Sequence, residues 1–451
     1  MKKIILLLSF AIAGLGISRA QTTISVGNGD DLIKAVADAA DGDVIELSDG
    51  IHKANYDYIS IVDKSITIKA AAGAHPIVYF ERLNLENSTD GTTPVGLTLD
   101  GVEFSGFQVD SLTGDEDTEG DLVGEYFINL DGSLKSFTDI IVKNCTVRNV
   151  KVTTVRGDRS TYSGNGFEFD NDIIYDVRDA NNNSYGPFRL KKNISFEYLH
   201  ITNCTFYNIV NKIIDLEDQE TPGEVIIDNC TFYNFGGANT GLYLFDFKAA
   251  TSLDFEITDC IFSKLNREPD VQTGDPVEIY GFRFPEDGPD IYTKITTTAF
   301  GTDVVFDKAG VDDVANGVIW DVNSYIYPDT DPQFADAQNG DFTLPENSDL
   351  LQASAEGTII GDPRWDPNAP NGIFSAEQTA LIKIYPNPSS SNVFVQSKKV
   401  MNVQFVSTLG QTVKQIRLNK GINKIDVSGL NEGVYFIMTN KGQLINKLVV
   451  Q

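Results

Sequence analysis

The chain has 451 residues, of which 64 are acidic and 35 are Lys or Arg, so its formal net charge is −29. A charge of this sign and size repels phosphate, which makes nucleic acid a poor partner. The four cysteines form no C-x-x-C pair and no Cys/His cluster, which argues against a zinc site.

The first twenty residues, MKKIILLLSFAIAGLGISRA, combine two lysines, an apolar run and a small-residue ending. This pattern predicts a secretory signal that is cleaved after Ala20. The apolar run is too short for a membrane anchor, so we expect no transmembrane segment in the mature chain. Residues 30–47, DDLIKAVADAADGDVIEL, then place Leu32, Val36 and Ala39 at helical spacing and continue as an alternating strand.

A repeated pattern surrounds each cysteine, in segments 140–150, 199–209, 225–235 and 255–265. Counted from the Cys, positions −5, −3, +2 and +5 are apolar, while −1 and +4 are mostly Asn. Segment 97–107 is a fifth copy with Val102 at the Cys position, which indicates a small buried apolar site. A fixed strand unit at variable spacing is typical of a solenoid with loop insertions. The mostly β coils predict a right-handed parallel β-helix, capped at its open end by the helix of residues 30–47.

In such a stack, equivalent residues of neighbouring coils lie above one another at about 4.8 Å. The Asn residues should therefore form side-chain ladders at the turns. The thiols should form an inward column without disulfides, because a disulfide needs β-carbons about 3.8 Å apart.

The end of the chain has a different composition. Residues 362–380 are rich in Pro, Ala and Asn, and short strands divided by turn signals follow. The charge also changes sign, since residues 382–451 are basic while residues 21–381 are strongly acidic. We therefore predict a β-helix domain over 21–365, a linker over 366–381 and a small Ig-like β-sandwich over 382–451.

Four segments of the last domain resemble the C-terminal sorting domain of the type IX secretion system, a route of the Bacteroidetes. They are IKIYPNPSSSNVFV (382–395), STLGQTV (407–413), VSGLNEGVYFI (427–437) and KLVVQ (447–451). The resemblance implies contact with the secretion machinery and a location outside the cell or on the outer-membrane surface. An ordinary Ig-like module is the alternative.

The capping segment, the N-C-T-F coils and the closing stretch 331–365 resemble the pectin-lyase-like superfamily of β-helices. The closing stretch is similar to the ends of secreted β-helices from Bacteroidetes polysaccharide-utilisation systems. The resemblance implies the fold and an association with carbohydrate, but a fold alone does not define an activity.

Function in a packed solenoid must lie on its outer face. Five short strands, FINLD, GFEFD, IIDLED, LFDFK and YGFRF, precede or accompany the cysteine strands. If they stack in one register, their outward side chains form a ridge of Asn129, Asp131, Glu168, Asp170, Asp215, Glu217, Asp246, Lys248 and Arg283. The alternative interpretation of this ridge is a solvated acidic face.

The ridge suits the elimination chemistry of polysaccharide lyases, which neutralise a uronate carboxylate and abstract its C5 proton. This predicts Asp215, Glu217 and Asp246 as Ca²⁺ ligands, Lys248 as the base and Arg283 as the carboxylate clamp. β-Helix lyases of the chondroitinase-B and alginate-lyase type carry an Arg-His pair, and this chain has no Arg-His dipeptide. A hydrolase with paired carboxylates, a non-catalytic carbohydrate-binding or adhesion protein, and a structural surface protein therefore stay open.

The long spacing between Cys145 and Cys204 predicts an inserted polar segment over 151–193 that shapes a groove. Basic and aromatic residues alternate there and suit sugar binding, although a self-packed loop is equally consistent. The candidate substrate-binding residues are Arg156, Arg159, Tyr162, Arg178, Tyr185 and Arg189. We expect a secreted or surface-displayed monomer that binds an extracellular acidic polysaccharide, with cleavage as the stronger form of the hypothesis.

Overall fold

The computed structural model describes residues 21–109, 116–117, 122–179, 184–216, 221–236, 243–248, 253–265, 279–283, 291–300, 304–305, 318–320, 332–355, 357–368, 382–385, 389, 391–397, 401–407, 411–419, 421–431, 433–439 and 444–450. The chain divides into two compact units, Met1–Ala369 and Pro370–Gln451. The predicted signal at residues 1–20 lies outside the described residues.

The described residues of the first unit contain one short helix, α1 (Leu32–Asp38), and three 3-10 turns, Ala337–Asn339, Asp349–Gln352 and Pro363–Trp365. Its strands, in chain order, are β1 (Thr23–Val26), β2 (Val44–Leu47), β3 (Gly50–Val62), β4 (Ser65–Ala70), β5 (Pro76–Glu86), β6 (Val95–Asp100), β7 (Glu103–Ser105), β8 (Gln108–Val109), β9 (Glu116–Asp117), β10 (Tyr126–Leu130), β11 (Ser136–Lys143), β12 (Thr146–Val150), β13 (Thr153–Gly157), β14 (Ser163–Asp170), β15 (Ile173–Val177), β16 (Gly186–Leu190), β17 (Ser195–Thr202), β18 (Thr205–Val210), β19 (Ile214–Asp215), β20 (Thr221–Asp228), β21 (Thr231–Gly236), β22 (Tyr243–Asp246), β23 (Leu253–Thr258), β24 (Ile261–Ser263), β25 (Ile279–Arg283), β26 (Ile291–Thr296), β27 (Ala299–Phe300), β28 (Val304–Val305) and β29 (Val318–Trp320).

Apart from β8 and β9, which pair with each other in antiparallel fashion, these strands form a three-sided coil of parallel sheets. Sheet 1 has eleven strands in the order β1-β2-β4-β6-β11-β14-β17-β20-β23-β26-β29. A sixteen-stranded sheet divides at the long strands β3 and β5. The first halves of these strands lead into sheet 2, which continues as β7-β12-β15-β18-β21-β24-β27. Their second halves lead into sheet 3, which continues as β10-β13-β16-β19-β22-β25-β28.

The coil interior is a single apolar core in which like residues stack on like. Phe206, Phe232 and Phe262 of three consecutive coils are fully or almost fully buried. Their rings stack with centroids 5.1 and 4.7 Å apart. Because inward and outward side chains alternate along each strand, every coil contributes to this core and to the outer face. The parallel β-helix predicted from the repeat is confirmed.

The Asn residues of the repeat occupy turn positions with left-handed backbone. Asn144, Asn171 and Asn203 precede the central position of the repeat and have φ of 55°, 60° and 54°. Asn tolerates this conformation better than other residues with a β-carbon. Asn171 Nδ2 donates to Asn144 Oδ1 at 2.8 Å, and Asn234 Nδ2 donates to Asn208 Oδ1 at 2.7 Å. The predicted turn ladders are confirmed.

A sixth copy of the repeat, FEFDNDIIYDV (167–177), carries Asp172 at the cysteine position. Asp172 is 27 residues after Cys145 and 32 residues before Cys204. The prediction of one long insertion over 151–193 is therefore wrong, because this segment holds β13, β14, β15 and β16. The cysteine pattern does not reveal this coil, because its central residue is Asp172.

The central positions of successive coils form the predicted interior column. Cys145, Cys204, Cys230 and Cys260 are free and buried. The backbone N–H of Cys230 donates to the Sγ of Cys260, and that of Asp172 donates to the Sγ of Cys204, both at 3.4 Å, so these two thiols accept hydrogen bonds from the preceding coil. Asp172 takes the same place, and its Oδ1 accepts the N–H of Cys145 at 2.7 Å.

Thiol titration of the unreduced protein in denaturant should find four free thiols, because all four cysteines are free in the native fold. The native protein should react slowly, since burial raises the pKa of the thiols of Cys145, Cys204 and Cys230. Cys230→Val should cost less than about 1.5 kcal/mol, because Val102 fills the same position in another coil. A titration near zero would show that disulfides form.

The predicted capping helix lies at the open end of the stack. Helix α1 begins after Asp31, whose side chain accepts the N–H of Lys34, and its Leu32 and Val36 are buried. Lys64 Nζ donates to three carbonyls at the end of the helix, those of Val36, Ala37 and Ala39, at 2.6 to 3.1 Å. A cation there satisfies carbonyls that lack helical partners.

The closing segment 332–368 folds back over the outer face of sheet 2. Phe342 packs its ring against Tyr207 and Tyr233, at 5.2 and 5.4 Å between centroids. Trp365 Nε1 donates to Thr205 Oγ1 at 2.7 Å, and the same hydroxyl donates to Asp362 Oδ2 at 2.6 Å. This part of sheet 2 is thereby covered.

The second unit is a small antiparallel sandwich of seven strands. They are β30 (Ile382–Tyr385), β31 (Asn392–Ser397), β32 (Met401–Ser407), β33 (Thr412–Leu418), β34 (Gly421–Asp426), β35 (Gly433–Thr439) and β36 (Leu444–Val450). The sheets β30-β31-β34 and β33-β32-β35-β36 share a core that includes Val393, Phe405 and Ile437. Among the described parts of both units, no helix is long and apolar enough to cross a bilayer.

Candidate functional site

The outer face of sheet 3 carries one polar residue per coil at the same register position. β10, β13, β16, β19, β22 and β25 contribute in turn, and neighbouring positions pair directly in the sheet. We call this row the polar ladder; it consists of Asn129, Arg156, Arg189, Asp215, Asp246 and Arg283. With coils about 4.8 Å apart, its six positions span roughly 24 Å along the helix axis.

Two members of the predicted ridge lie elsewhere. Glu168 and Asp170 belong to β14 of sheet 1, where they pair with His200 and Thr202. Their assignment to the ridge is wrong. The segment GFEFD is the end of β14, which leads directly into the central turn of its coil, whereas the sheet 3 strand of this coil is the preceding β13. The two positions of the row between Asn129 and Asp215 are instead occupied by Arg156 of β13 and Arg189 of β16. The row is therefore far less acidic than the sequence predicts.

Asp158 joins the two arginines of the polar ladder. Its Oδ1 accepts from Arg156 Nε at 2.7 Å and its Oδ2 accepts from Arg189 Nε at 2.8 Å. Burial raises the pKa of Asp158, but the hydrogen bonds and charges of the two guanidinium groups outweigh this effect and hold the pKa below its usual value. Asp158 therefore stays ionised and orients both arginines.

The two aspartates of the polar ladder form a second ionic cluster. Asp246 receives Lys212 Nζ at 2.5 Å on Oδ2 and Arg283 Nε at 2.7 Å on Oδ1. Asp215 lies 3.3 Å from Lys212 Nζ and 3.5 Å from Lys191 Nζ. Arg189 Nη1 is 3.9 Å from Asp215, so the arginine and aspartate halves of the ladder are continuous.

Tyrosines lie beside the guanidinium groups along the same face. The Tyr126 ring is 4.3 Å from Arg156 Cζ and 5.3 Å from Arg82 Cζ. Similar contacts pair Arg189 with Tyr185 at 3.7 Å and Arg283 with Tyr243 at 4.8 Å. These cation–π contacts hold the guanidinium planes and add aromatic surface next to charge.

The structure distributes the remaining predicted residues as follows. Tyr185 is 46% exposed beside the polar ladder. Lys248 and Arg159 are also exposed, and the Lys248 backbone N–H donates to Asp246 Oδ1 at 3.4 Å. Arg178 follows β15 of sheet 2 and pairs with Asp176 at 3.8 Å, away from the ladder strands.

Tyr162 is a core residue. It is 1% exposed, and its hydroxyl donates to the Leu130 carbonyl at 2.8 Å. Its prediction as a sugar-binding residue is corrected for this reason. The side chain stabilises the turn between β13 and β14 from inside the coil, which a Tyr in an exposed loop would not do.

The described residues do not fit the predicted Ca²⁺ site. Glu217 lies outside the described residues, and Asp215 and Asp246 both contact Lys212. Across the described residues, no group of three or more His, Cys, Asp or Glu side chains could hold a metal ion. The positions that Ca²⁺ would need are held by ammonium and guanidinium groups.

Sequence reasoning missed the residues that complete the cluster. They are Arg82, Tyr126, Asp158, Lys191, Lys212 and Tyr243. Recognition of the sixth repeat copy would have placed β13 and β16 next to β19, and with them Asp158 and Lys191. Lys212 lies three residues before Asp215, but its role depends on the following coil.

Two family matches concern parts of the chain. Residues 383–451 match the secretion system C-terminal sorting domain, so this unit is a type IX sorting tail and the protein is exported to the cell surface or the extracellular space. Residues 225–365 match a domain of unknown function, DUF5123. The matched segment includes Asp246 and Arg283 but begins after Lys212. No curated protein matches the chain.

An alginate lyase and a pectate lyase are among the solved structures that match the chain. The PL6 family alginate lyase AlyGC is 19% identical with a TM-score of 0.46, and the match covers 68% of this chain and 39% of that one. The pectate lyase Pel9A is 14% identical with a TM-score of 0.37, and the match covers 76% of this chain and 96% of that one. The chain thus spans about two fifths of the length of the alginate lyase.

Proposed function

We propose that this secreted β-helix protein binds an extended acidic polysaccharide along the outer face of sheet 3. The observation that supports the proposal is the three guanidinium groups of the polar ladder, with tyrosines beside them and the ammonium groups of Lys191 and Lys212 next to the row, on a protein of net charge −29. Guanidinium groups bind carboxylates through paired hydrogen bonds, and tyrosine rings contact sugar rings. A polymer that follows the helix axis would meet one ladder position in each coil.

The exposed residues at the margin of the polar ladder test this proposal without disturbing its buried ion pairs. Tyr185→Ala and Lys248→Ala should each weaken binding of a polyuronate such as alginate about tenfold, which corresponds to about 1.4 kcal/mol. Lys34→Ala is the matched control, because Lys34 is an exposed lysine on α1. Binding should also weaken with salt. Equal affinity of the wild type and both variants would contradict the proposal, as would a folded wild type that binds no polyuronate.

Cleavage of the bound polymer is a second candidate, supported by the exposure of Lys248 beside Asp246 and Arg283. In this candidate Lys248 takes the C5 proton of a uronate, the electron pair forms the C4–C5 double bond, and the departing O4 takes a proton. The test is the ultraviolet absorbance of unsaturated uronates. Lys248→Ala should abolish this absorbance and leave the polymer bound more weakly. Absence of absorbance in the wild type would leave binding as the function.

A further inference from the structure

Lys212 occupies the centre of the ionic cluster. It lies two residues before β19, and its side chain is 13% exposed. Its Nζ contacts Asp215 Oδ1 of its own coil and Asp246 Oδ2 of the next. The two aspartates are adjacent in the sheet register, and their side chains are 4% and 0% exposed. Two buried carboxylates at the spacing of neighbouring strands repel each other. Lys212 neutralises this repulsion.

Additional cations flank the two carboxylates. Arg283 binds Asp246 on one side, and Arg189 and Lys191 approach Asp215 on the other. Four cationic side chains thus lie within 3.9 Å of two carboxylates. Among the residues that the structure describes, cations outnumber carboxylates in this cluster, and a divalent ion that entered it would have to displace Lys212 from both oxygens.

We propose that Lys212 is a built-in replacement for a divalent cation, so that sheet 3 binds carboxylate polymers without metal. The ammonium group joins Asp215 and Asp246 as a bridging ion would, with Arg189 and Arg283 at either end of the pair. The part of this inference that concerns the polymer rests on the proposed function; the exclusion of metal does not. Lys212 is thus a positioning residue: it holds the side chains of Asp215 and Asp246 in place.

The first test uses heat denaturation of the full chain without polysaccharide, in EDTA and in millimolar CaCl₂. The wild type and the single variant Asp215→Asn should show the same response of the melting temperature to Ca²⁺, because any ion that binds does so elsewhere. Lys212→Met leaves the two carboxylates facing each other, and Ca²⁺ should then raise the melting temperature by about 5 °C more than in the wild type. Lys212→Met with Asp215→Asn should lose this gain.

Lys212→Arg is the matched control, because it keeps the bridging cation and should respond to Ca²⁺ as the wild type does. A wild-type Ca²⁺ response that Asp215→Asn removes would overturn the proposal. A folded Lys212→Met variant without any gain would also overturn it. If Lys212→Met does not fold, calorimetric titration of Ca²⁺ into the wild type and into Asp215→Asn decides the question, since equal heats support the proposal and a lost site in the variant overturns it.

The second test measures alginate binding by the wild type in EDTA and in CaCl₂ at equal ionic strength. Equal affinity supports metal-free binding. Binding that requires Ca²⁺ would overturn the inference and leave the proposed function standing. Absence of binding under both conditions would overturn the proposed function, while the melting experiments would still decide the role of Lys212.

Discussion

Asp246→Ala should lower the free energy of unfolding by about 3–5 kcal/mol, the usual cost when one partner of a buried ion pair is removed. Asp246 is fully buried and accepts from Lys212 and Arg283. Its loss removes one carboxylate from contact with Lys212 and removes the acceptor of Arg283 Nε. Denaturant unfolding of the first unit measures the effect.

Two variants make this prediction specific. Asp246→Asn keeps the shape and one oxygen acceptor, so its cost should be smaller than that of alanine. Asp254→Ala removes an exposed carboxylate from sheet 1, whose pKa is raised by partial burial and by Glu224 and Glu256, and it should be neutral or slightly stabilising. If Asp246→Ala unfolds like the wild type, the ionic cluster does not stabilise the coil stack.

Asp172→Cys should raise the free energy of unfolding by about 1–3 kcal/mol at neutral pH. Asp172 is fully buried in the thiol column, and its Oδ2 has no hydrogen-bond partner. A thiol at this position would still accept the Cys145 N–H, as Cys260 accepts the N–H of Cys230. The substitution therefore removes an unpaired buried carboxyl group and keeps the hydrogen bond.

The gain should depend on pH with a defined sign. Burial raises the pKa of Asp172 well above its usual value, against the opposing hydrogen bond from Cys145. The native state then binds more protons than the unfolded state above the unfolded pKa, so the wild type loses stability as pH rises through this range. Asp172→Cys lacks this loss, and its advantage should be smallest near pH 4 and grow towards neutral pH.

Urea unfolding of both proteins at several pH values measures the difference, because the subtraction cancels the charge effects that they share. Asp172→Asn is the informative control. It should remove the pH dependence but keep an unpaired buried polar group, so its stability at neutral pH should lie below that of the cysteine variant. A pH-independent difference between wild type and Asp172→Cys would contradict this prediction, because it would show that Asp172 has the same pKa in the native and the unfolded state.

The sequence repeat alone is sufficient to predict the parallel β-helix architecture. Apolar residues at fixed offsets from each cysteine specify strands that bury one face. The Asn residues mark turns with positive φ, as Asn144 and Asn203 show. These are local preferences, and stacking reinforces them in every coil. The capping helix and the sorting tail were likewise predicted from local patterns, since each is a separate segment with its own signals.

The candidate site depended on information that the repeat does not contain. The sequence predicts four of the five ridge strands correctly, and Asn129, Asp215, Asp246 and Arg283 do lie in one row. The remaining positions of the row can be assigned only when the number of coils between Cys145 and Cys204 is known. The cysteine pattern does not give this number, because Asp172 stands at the cysteine position of one coil. Strand patterns of sheets 1 and 3 are alike in sequence, so GFEFD could be assigned to either.

Only the closed coil decides which outward side chains meet. Arg189 and Asp215 belong to different coils and become neighbours because equivalent positions stack at the strand spacing. Contacts of this kind give a row of internally paired charges, where the sequence alone predicts an acidic ridge that binds calcium. Sequence therefore determined the repeating unit, through the local preferences of each residue, whereas the tertiary structure decided the chemistry of the face, because its ion pairs join residues from separate coils.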